Sequence, residues 1–494
     1  MDQIIAGFAD ALTITNIVLV FAGVLLGQVF GAIPGLSALT AIAIAVPLTY
    51  YLPPVGALGF LVGINKGGTV GGAVSAILMN TPGSPEAAAT AFDGHPLAKQ
   101  GKPLKALKIA LYSSVSGDTF SDLVLILVAA PLAAFAIRMG PPEIMSVVIL
   151  ALTVIAGLVG LSMLKGLIAA AFGMLLSTVG LDPEAASDRF VFGIAELMDG
   201  IPIAAVGIGV LAMGEVLHQI KLHSRGTDDT HLPLASKNRA DRRISLAEFR
   251  SCIRTILRSA AIGTGIGAIP GIGSSAAAFI GYEAAKRASD KPESFGKGNI
   301  EGVAAVEAAN SAVVGSNFIP LLALGIPGNV AAALILGAFV VHGITPGPHL
   351  MEEQGQLIYG LFGAMIIGNI CNFLIGNAGL RFFVMVTHVP ANIIFPATGL
   401  LCLTGAFLAG GSFAMLLVTG FALLGYILRK LDFSFVTFII GFVLGPMFEL
   451  SFRQTVILAD GELAYLLDRP IALSVLGLAT VVVIKVLLTL KSRA

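Results

Sequence analysis

Apolar runs of about 18–25 residues recur from one end of the chain to the other, and a helix needs this length to cross a bilayer. Charged residues make up 12% of the chain and the mean hydropathy is +0.92, whereas a soluble domain is about 25% charged. The runs are continuously apolar, while the strands of a transmembrane barrel alternate. The sequence therefore predicts an all-α polytopic membrane protein.

Some apolar runs are too short to cross alone, and these lie beside clusters of glycine and proline. We interpret them as Gly/Pro-broken helices or re-entrant hairpins, and merging them leaves about 12 transmembrane helices of bilayer length. The runs 54–64 and 68–80 are predicted to be separate half-helices, as are 390–409 and 412–428, whereas 301–324 is predicted as one span.

One long polar segment, residues 221–251, separates two halves of similar length. It carries seven Lys/Arg against four Asp/Glu, and an excess of basic residues marks cytoplasmic loops. We predict a first transmembrane half at 1–220, a cytoplasmic polar linker at 221–251 and a second transmembrane half at 252–494.

The two halves share a pattern. The letters GAIPG occur at 31–35 and again at 267–271, and a second Pro-Gly pair follows each copy, at 82–83 and at 327–328. In both halves an asparagine stands 17 residues before the second proline. These matches predict two pseudo-symmetric repeats, and paired Gly/Pro interruptions of this kind indicate the midplane site of a secondary transporter.

Breaks in membrane helices create binding groups. Proline removes a backbone donor, and glycine tolerates the left-handed or extended backbone of a break. Because hydrocarbon offers no hydrogen bonds, a break persists only where something satisfies its polar groups. Freed carbonyls bind cations, and amides at a half-helix N-terminus bind anions. The alternative is that these segments are ordinary turns at span ends or glycine packing faces.

We predict that an anionic substrate binds at these breaks. Lys66 joins this set because an ammonium in an apolar run is costly and often functional, although a lysine can also snorkel to the interface. The predicted substrate-binding residues are Gly35, Lys66, Asn80, Thr81, Pro82, Gly83, Ser84, Gly271, Gly325, Pro327, Gly328 and Asn329.

Neutral oxygens near the breaks suit sodium better than a titrating proton carrier. The predicted ion-binding residues are Asn65, Thr69, Ser75 and Asn310. The alternative for each hydroxyl is a hydrogen bond to the backbone of its own helix.

Acidic residues within apolar sequence are further candidates. Asp118 and Asp122 lie one turn apart, so they line an aqueous path or pair with helix N-terminal amides. Glu301 and Glu307 hold an ion or a proton, or lie near the surface.

Other chemistry is not indicated. The chain has no P-loop, HExxH or GxSxG motif, and its three cysteines show no metal-binding spacing. The formal net charge is zero, which gives no electrostatic indication of a nucleic-acid partner. We therefore predict that the chain is not an enzyme, and that it needs no cofactor or metal beyond a coupling sodium ion.

Several long motifs carry a family resemblance that spans essentially the whole chain. They are GAIPGLSA, NKGGTVGGAVSAILMNTPGSPEAAATAFDGHPLAKQGK, GAIPGIGSSAAAF, FGKGNIEGVAAVEAAN and LGIPGN…HGITPGP. The chain resembles the large membrane subunit of the tripartite tricarboxylate transporters.

This resemblance implies a multi-pass protein of the bacterial inner membrane, with inverted halves and elevator-like movement. It implies two partners, a small transmembrane subunit and a periplasmic solute-binding protein. It also implies uptake of carboxylates such as citrate, driven by a sodium gradient. Three rivals stay open: a stand-alone anion symporter, a passive anion channel, and a non-transporting scaffold or enzyme.

Overall fold

The computed structural model describes residues 2–82, 84–159, 162–182, 184–223, 239–386, 389–460 and 462–491. Gly83 and about half of the predicted linker, residues 224–238, lie outside the described residues. Within the described ranges the chain is helical except for turns and one two-stranded antiparallel ribbon, in which Gly180–Leu181 (β1) pairs with Asp188–Arg189 (β2).

The first half contains ten α-helices among its described residues, with a 3₁₀ segment at Val46–Tyr51 and a π-helical segment at Ile208–Met213. The α-helices are α1 (Asp2–Ala11), α2 (Ile14–Ala32), α3 (Ala38–Ala45), α4 (Pro54–Met79), α5 (Ala87–Lys99), α6 (Pro103–Ala136), α7 (Pro141–Val159), α8 (Met163–Ser177), α9 (Ile203–Gly207) and α10 (Gly214–His223).

The second half follows the short 3₁₀ turn Arg239–Arg242. Its α-helices are α11 (Leu246–Gly267), α12 (Gly273–Ala288), α13 (Ile300–Ser316), α14 (Phe318–Leu324), α15 (Val330–Val341), α16 (Leu350–Glu353), α17 (Gly355–Val386), α18 (Ala391–Lys430), α19 (Phe435–Leu458) and α20 (Pro470–Lys491).

Seven helices among the described residues are long and apolar enough to cross a membrane. They are Ile14–Ala32, Pro54–Met79, Pro103–Ala136, Ile203–Lys221, Gly355–Leu380, Gly410–Lys430 and Phe435–Leu458. The prediction of a polytopic helical membrane protein is thus confirmed. Other apolar helices, such as Val330–Val341, are shorter than a span, so the number of crossings stays a prediction.

The predicted break between 54–64 and 68–80 is wrong, because α4 is one continuous helix. Its glycines serve contact with α2 instead. A Cβ at Gly67 would lie 2.2 Å from the Val24 carbonyl oxygen, and one at Gly27 would lie 2.1 Å from the Ile64 carbonyl oxygen. Small residues permit this backbone approach in membranes.

Helices α2 and α4 run in the same direction, with α3 returning between them. Gly23 lies against Phe60 and Gly31 lies against Gly68, so residue numbers rise together along both helices. Helices α11 and α13 have the same arrangement, with α12 between them: Gly263 lies against Ala309, and Gly267 lies against Val313.

The two parallel pairs are related through α6 and α17. Helix α6 runs with α13, since Gly117 lies against Ala308 while Asp122 lies against Gly315. Helix α17 runs against α6, since Asn369 bonds Asp122 while Asn377, two turns later, lies 3.4 Å from the earlier Tyr112 hydroxyl.

Helix α17 also fixes the direction of α4. Ala364 lies against Gly59, and Asn372 bonds the Lys66 carbonyl oxygen at 3.1 Å, so α17 and α4 run the same way. It follows that α4 and α13 run in opposite directions.

Two other boundaries predicted from the sequence lie in the second half of the chain. The separation of 390–409 from 412–428 is confirmed as a break inside α18, where Gly411 has a φ of +64°. The single span predicted at 301–324 corresponds to two consecutive helices, α13 and α14, which meet at Asn317, where the backbone keeps right-handed helical angles.

Replacing Gly67 by alanine is expected to lower the thermal stability of the protein. The new Cβ would meet the Val24 carbonyl oxygen, and overpacking of this kind costs about 1–3 kcal/mol. The matched control is Gly420→Ala in α18, where a Cβ would meet no described atom within 4 Å. Equal unfolding midpoints for the two variants in detergent would show that the α2–α4 contact does not limit stability.

Candidate functional site

Each of the four Gly/Pro breaks contains a residue with left-handed backbone. Gly35 (φ +81°) and Gly271 (φ +92°) directly follow the proline of their GAIPG segments. Asn80 (φ +54°) and Gly325 (φ +73°) each lie two residues before the proline of the second break. The paired breaks therefore share their backbone conformation as well as their sequence.

The two breaks of the second half are bonded to each other. The Gly271 amide donates to the Gly328 carbonyl oxygen at 2.8 Å. Asn329 caps α15, because its side chain accepts a hydrogen bond from the Ala332 amide at 2.9 Å. Gly325, Pro327 and Gly328 are buried, so this end of the site is enclosed.

The second break of the first half is more open. Asn80, Thr81 and Pro82 are exposed, and Ser84 is half-buried. Just beyond it, the Glu86 carboxylate accepts a weak hydrogen bond from the Ser275 hydroxyl at 3.5 Å. Since Ser275 lies in the first turn of α12, directly after the 267–271 break, three of the four breaks are neighbours.

The remaining break, at Gly35, lies between α10 and the start of α3. A Cβ at Gly35 would be 2.6 Å from the Gln219 side chain of α10. Ala38, at the start of α3, packs on Gly68. A Cβ built on Gly72, one turn further along α4, would lie 3.6 Å from the Ser84 hydroxyl oxygen. The two breaks of the first half thus lie against successive turns of α4.

The predicted ion-binding residues are all buried, on α4 and α13. The Thr69 hydroxyl donates to the Lys66 carbonyl oxygen at 2.8 Å, and the Ser75 hydroxyl donates to the Gly72 carbonyl oxygen at 3.2 Å. These are the backbone bonds that the alternative interpretation expected. The Asn310 side-chain oxygen has no hydrogen-bond partner among the described residues.

Lys66 does not snorkel, because its side chain is fully buried. Its ammonium donates to Asp122 Oδ2 and to Asn369 Oδ1, each at 2.8 Å, and lies 3.5 Å from Asp118 Oδ1. Asn369 also donates to Asp122 Oδ2 at 2.7 Å. We call these four residues, Lys66, Asp118, Asp122 and Asn369, the buried ionic cluster; it joins α4, α6 and α17.

The two aspartates thus face a lysine instead of helix N-terminal amides. The sequence pattern marked Lys66, Asp118 and Asp122 as costly intramembrane charges, but it did not pair them. Nothing in the sequence indicated that Asn369 contacts this lysine, since it lies 303 residues from Lys66.

Glu307 belongs to a second buried polar group. It accepts hydrogen bonds from the Thr90 hydroxyl at 2.5 Å and the Ser114 hydroxyl at 2.8 Å. Ser114, Asp118 and Asp122 recur one turn apart on α6, and all three are buried. This spacing is the signal that could have predicted a polar stripe facing α13 and α4.

Asp93, which the sequence interpretation missed, has a structural position. One carboxylate oxygen accepts from the Gly298 and Asn299 amides at 2.9 and 2.8 Å, and the other accepts from the Tyr282 hydroxyl at 2.8 Å. The carboxylate therefore fixes α5 to the start of α13, across the two halves.

Lys66→Met is expected to lower the free energy of unfolding by about 3–5 kcal/mol, because removing one partner of a buried ion pair leaves the other charge uncompensated. Lys99→Met is the control; it removes an exposed lysine and is expected to change stability by less than about 0.5 kcal/mol. Adding Asp122→Asn to Lys66→Met restores the net charge of the cluster and is expected to recover part of the loss. Denaturant unfolding in detergent measures all three, and equal stability of the two single variants would contradict the assignment.

No solved structure matches this chain. An Agrobacterium vitis protein described as "Uncharacterized 52.8 kDa protein in TAR-I ttuC' 3'region" is 36% identical over 480 residues, which cover 97% of this chain and 94% of that protein. Another from the same organism, "Uncharacterized protein in TAR-II ttuC' 3'region", is 37% identical over 227 residues, covering 46% of this chain and 94% of that protein.

A protein-family model matches most of the chain. Residues 17–440 match the model described as "Tripartite tricarboxylate transporter TctA family". Together with the relative that matches nearly end to end, this shows that the chain is a multi-pass membrane protein belonging to the tripartite tricarboxylate transporter TctA family.

Proposed function

We propose that this chain is the membrane permease of a binding-protein-dependent secondary transporter that imports tricarboxylates or related carboxylates on a sodium gradient. The observation that carries the proposal is the grouping of the four Gly/Pro breaks, with left-handed backbone at matching positions. Such breaks persist in a membrane where they line a site or a cavity.

Two inverted repeats are part of this proposal. They are supported by the parallel pairs α2–α4 and α11–α13, each with a shorter helix returning between its members. The opposite directions of α4 and α13 support the inversion. In transporters with inverted repeats the substrate binds where the repeats meet.

The substrate would bind as an anion at the tips formed by residues 80–84 and 325–329, with the Gly35 and Gly271 segments beside them. Helices α5, α12 and α15 all begin close to these tips, and the first amides of a helix have no partner within the helix. They would donate to carboxylate oxygens. Lys66 would reach a substrate only by leaving Asp122 and Asn369.

Sodium would bind between α4 and α13, at Asn65, Thr69, Ser75 and Asn310. The unpartnered Asn310 oxygen supports this assignment. So does the contact between the Ser311 and Thr69 hydroxyls, 3.5 Å apart, which brings the two helices together.

The partners proposed for the chain follow from its family, whose transporters are tripartite. They are a small transmembrane subunit and a periplasmic solute-binding protein that delivers the carboxylate. The proposed location is the inner membrane of a bacterium, with the linker on the cytoplasmic side.

The test is uptake of radiolabelled citrate and other small carboxylates into proteoliposomes. The vesicles hold this chain with its small membrane partner, with and without the binding protein, under an inward sodium gradient. The expected result is accumulation that requires both sodium and the binding protein. Sodium-driven uptake without the binding protein would favour a stand-alone symporter, and rapid flux without coupling to any gradient would favour a passive anion channel.

Asn329→Asp is expected to raise the KM for the carboxylate by about fivefold or more, because repulsion from a nearby like charge costs the bound anion about 1 kcal/mol or more. Asn329→Ser is the matched control, since serine and aspartate both cap helix N-termini but serine is neutral. Uptake kinetics at saturating sodium measure the effect. Equal KM values for the two variants would place the substrate elsewhere.

Asn65→Ala and Asn310→Ala are each expected to raise the sodium concentration needed for half-maximal uptake, because each removes an amide oxygen from the proposed ion site. Sodium titration of carboxylate uptake measures the shift. Unchanged sodium activation in both variants would rule out the assignment.

A further inference from the structure

The buried ionic cluster holds one negative charge in excess when all its groups are ionised. It contains two carboxylates, Asp118 and Asp122, and one ammonium, that of Lys66. All three side chains are at most 2% exposed. An uncompensated charge at such a position is expensive, and buried groups avoid this cost by neutralisation.

The hydrogen bonds of the cluster identify which carboxylate is uncompensated. Asp122 Oδ2 accepts from both Lys66 and Asn369. Both oxygens of Asp118 lack any hydrogen-bond partner among the described residues, and the nearest cation is the Lys66 ammonium at 3.5 Å. Asp118 is therefore the carboxylate whose negative charge is less well stabilised, because neither of its oxygens accepts a hydrogen bond from a described residue.

We propose that Asp118 is a proton-binding site that loads and unloads one proton beside the Lys66–Asp122 ion pair. A proton added to Asp118 gives a neutral carboxylic acid, removes the excess charge of the cluster and turns one unpartnered acceptor into a donor. No other bond is made or broken. The role of this proton in coupling rests on the proposed transport function, whereas proton binding itself does not.

A metal cation fits this place less well than a proton does. The Lys66 ammonium already lies within 3.5 Å of both carboxylates and would repel a second cation there. A hard metal cation also needs a shell of several oxygens, but α4 and α6 are continuous here, so their carbonyls are used within the helices. In the described part of the chain, no group of three or more His, Cys, Asp or Glu side chains is arranged so that it could hold a metal ion.

Other titratable groups on the helices packed against α6 have partners of their own or are exposed. On α13 and α5 they are Glu307 with Thr90 and Ser114, Glu301 with Ser289, Asp93 with Tyr282, and His95 with the Ile77 carbonyl oxygen. On α11 they are Glu248 with Lys105, Arg258 with Thr255, and the exposed Arg250 and Arg254.

The titratable groups on the remaining neighbours of α6 are not paired with Asp118 either. Arg243, next to the turn Arg239–Arg242, faces Lys108 near the start of α6. Cys252 on α11 and Cys371 on α17 are buried free cysteines. Helix α14 has no titratable residue. Among the described groups, Lys66 is thus the only cation at ion-pair distance from Asp118, and Asp122 is the carboxylate that shares this cation with it.

The site is distinct from the residues proposed for sodium. Asn65 and Thr69 flank Lys66 on α4, but their proposed partner is α13, whereas the ionic cluster reaches α6 and α17. A proton and a sodium ion would thus bind at different contacts of α4: the proton where α4 meets α6 and α17, and the sodium ion where α4 meets α13.

The first experiment uses the full-length chain in lipid nanodiscs and infrared difference spectroscopy between acidic and alkaline pH. The C=O stretching band of a buried carboxylic acid is expected to appear on acidification in the wild type, to be lost in Asp118→Asn and to be kept in Glu307→Gln. If Asp118→Asn fails to fold, Asp118→Glu serves instead and is expected to shift the band.

Three results would overturn the proposal. They are a wild-type protein with no such band, a band that is present at every pH at which the protein is folded, and a band that is lost in Glu307→Gln but kept unshifted in the Asp118 variants. The first result would show that Asp118 stays ionised, the second that its proton never leaves, and the third that the proton binds Glu307.

The second experiment tests coupling in proteoliposomes with the partner subunits. Asp118→Asn is expected to retain exchange of labelled carboxylate between equal concentrations, and to lose the stimulation of uptake by an inward proton gradient. Stimulation equal to that of the wild type would rule out coupling through Asp118. If the wild type carries no carboxylate while the infrared band still titrates, the proposed function fails and the proton site stands.

Discussion

A bilayer supplies no hydrogen bonds, and the whole arrangement of this chain follows from that constraint. Helices that stop inside the membrane must find partners for the backbone groups they expose. Here the 267–271 break is tied to the 325–329 break by the bond between Gly271 and Gly328. Asn329 satisfies a further amide at the start of α15. The non-helical backbone of one break is thus hydrogen-bonded to the non-helical backbone of the other, and this bond keeps the two breaks next to each other.

The same constraint explains why glycine is used in two different ways. In α4 glycines bring the backbone of α2 within touching distance and leave the helix unbroken, whereas at Gly35 and Gly271 they accept a left-handed conformation that ends one. Lys66, which also lies on α4, is fully buried, and α6 and α17 supply the polar partners of its ammonium. Helix α4 therefore uses glycine for its contact with α2 and a charged side chain for its contact with α6 and α17.

The sequence predicted the membrane character, the positions of the four breaks and the kink in α18, because each depends on local composition or on proline and glycine. It failed at residues 65–68, where the same glycines that permit a break were used for packing. The pairing of Lys66 with Asp122 and Asn369 could not be predicted, since it depends on how helices far apart in the chain are arranged. Asp93 was missed for the same reason: its donors come from the other half.

The unequal exposure of the two proposed substrate tips has a consequence of its own. Residues 80–82 are exposed while Gly325, Pro327 and Gly328 are enclosed, although the sequence pattern makes the tips counterparts. With the proposed inverted repeats, exchanging the two environments would regenerate a protein of closely similar backbone contacts, facing the other side of the membrane. Under that proposal the two states would be nearly degenerate in energy, and a small difference in the binding of a solute or an ion would be enough to select one of them.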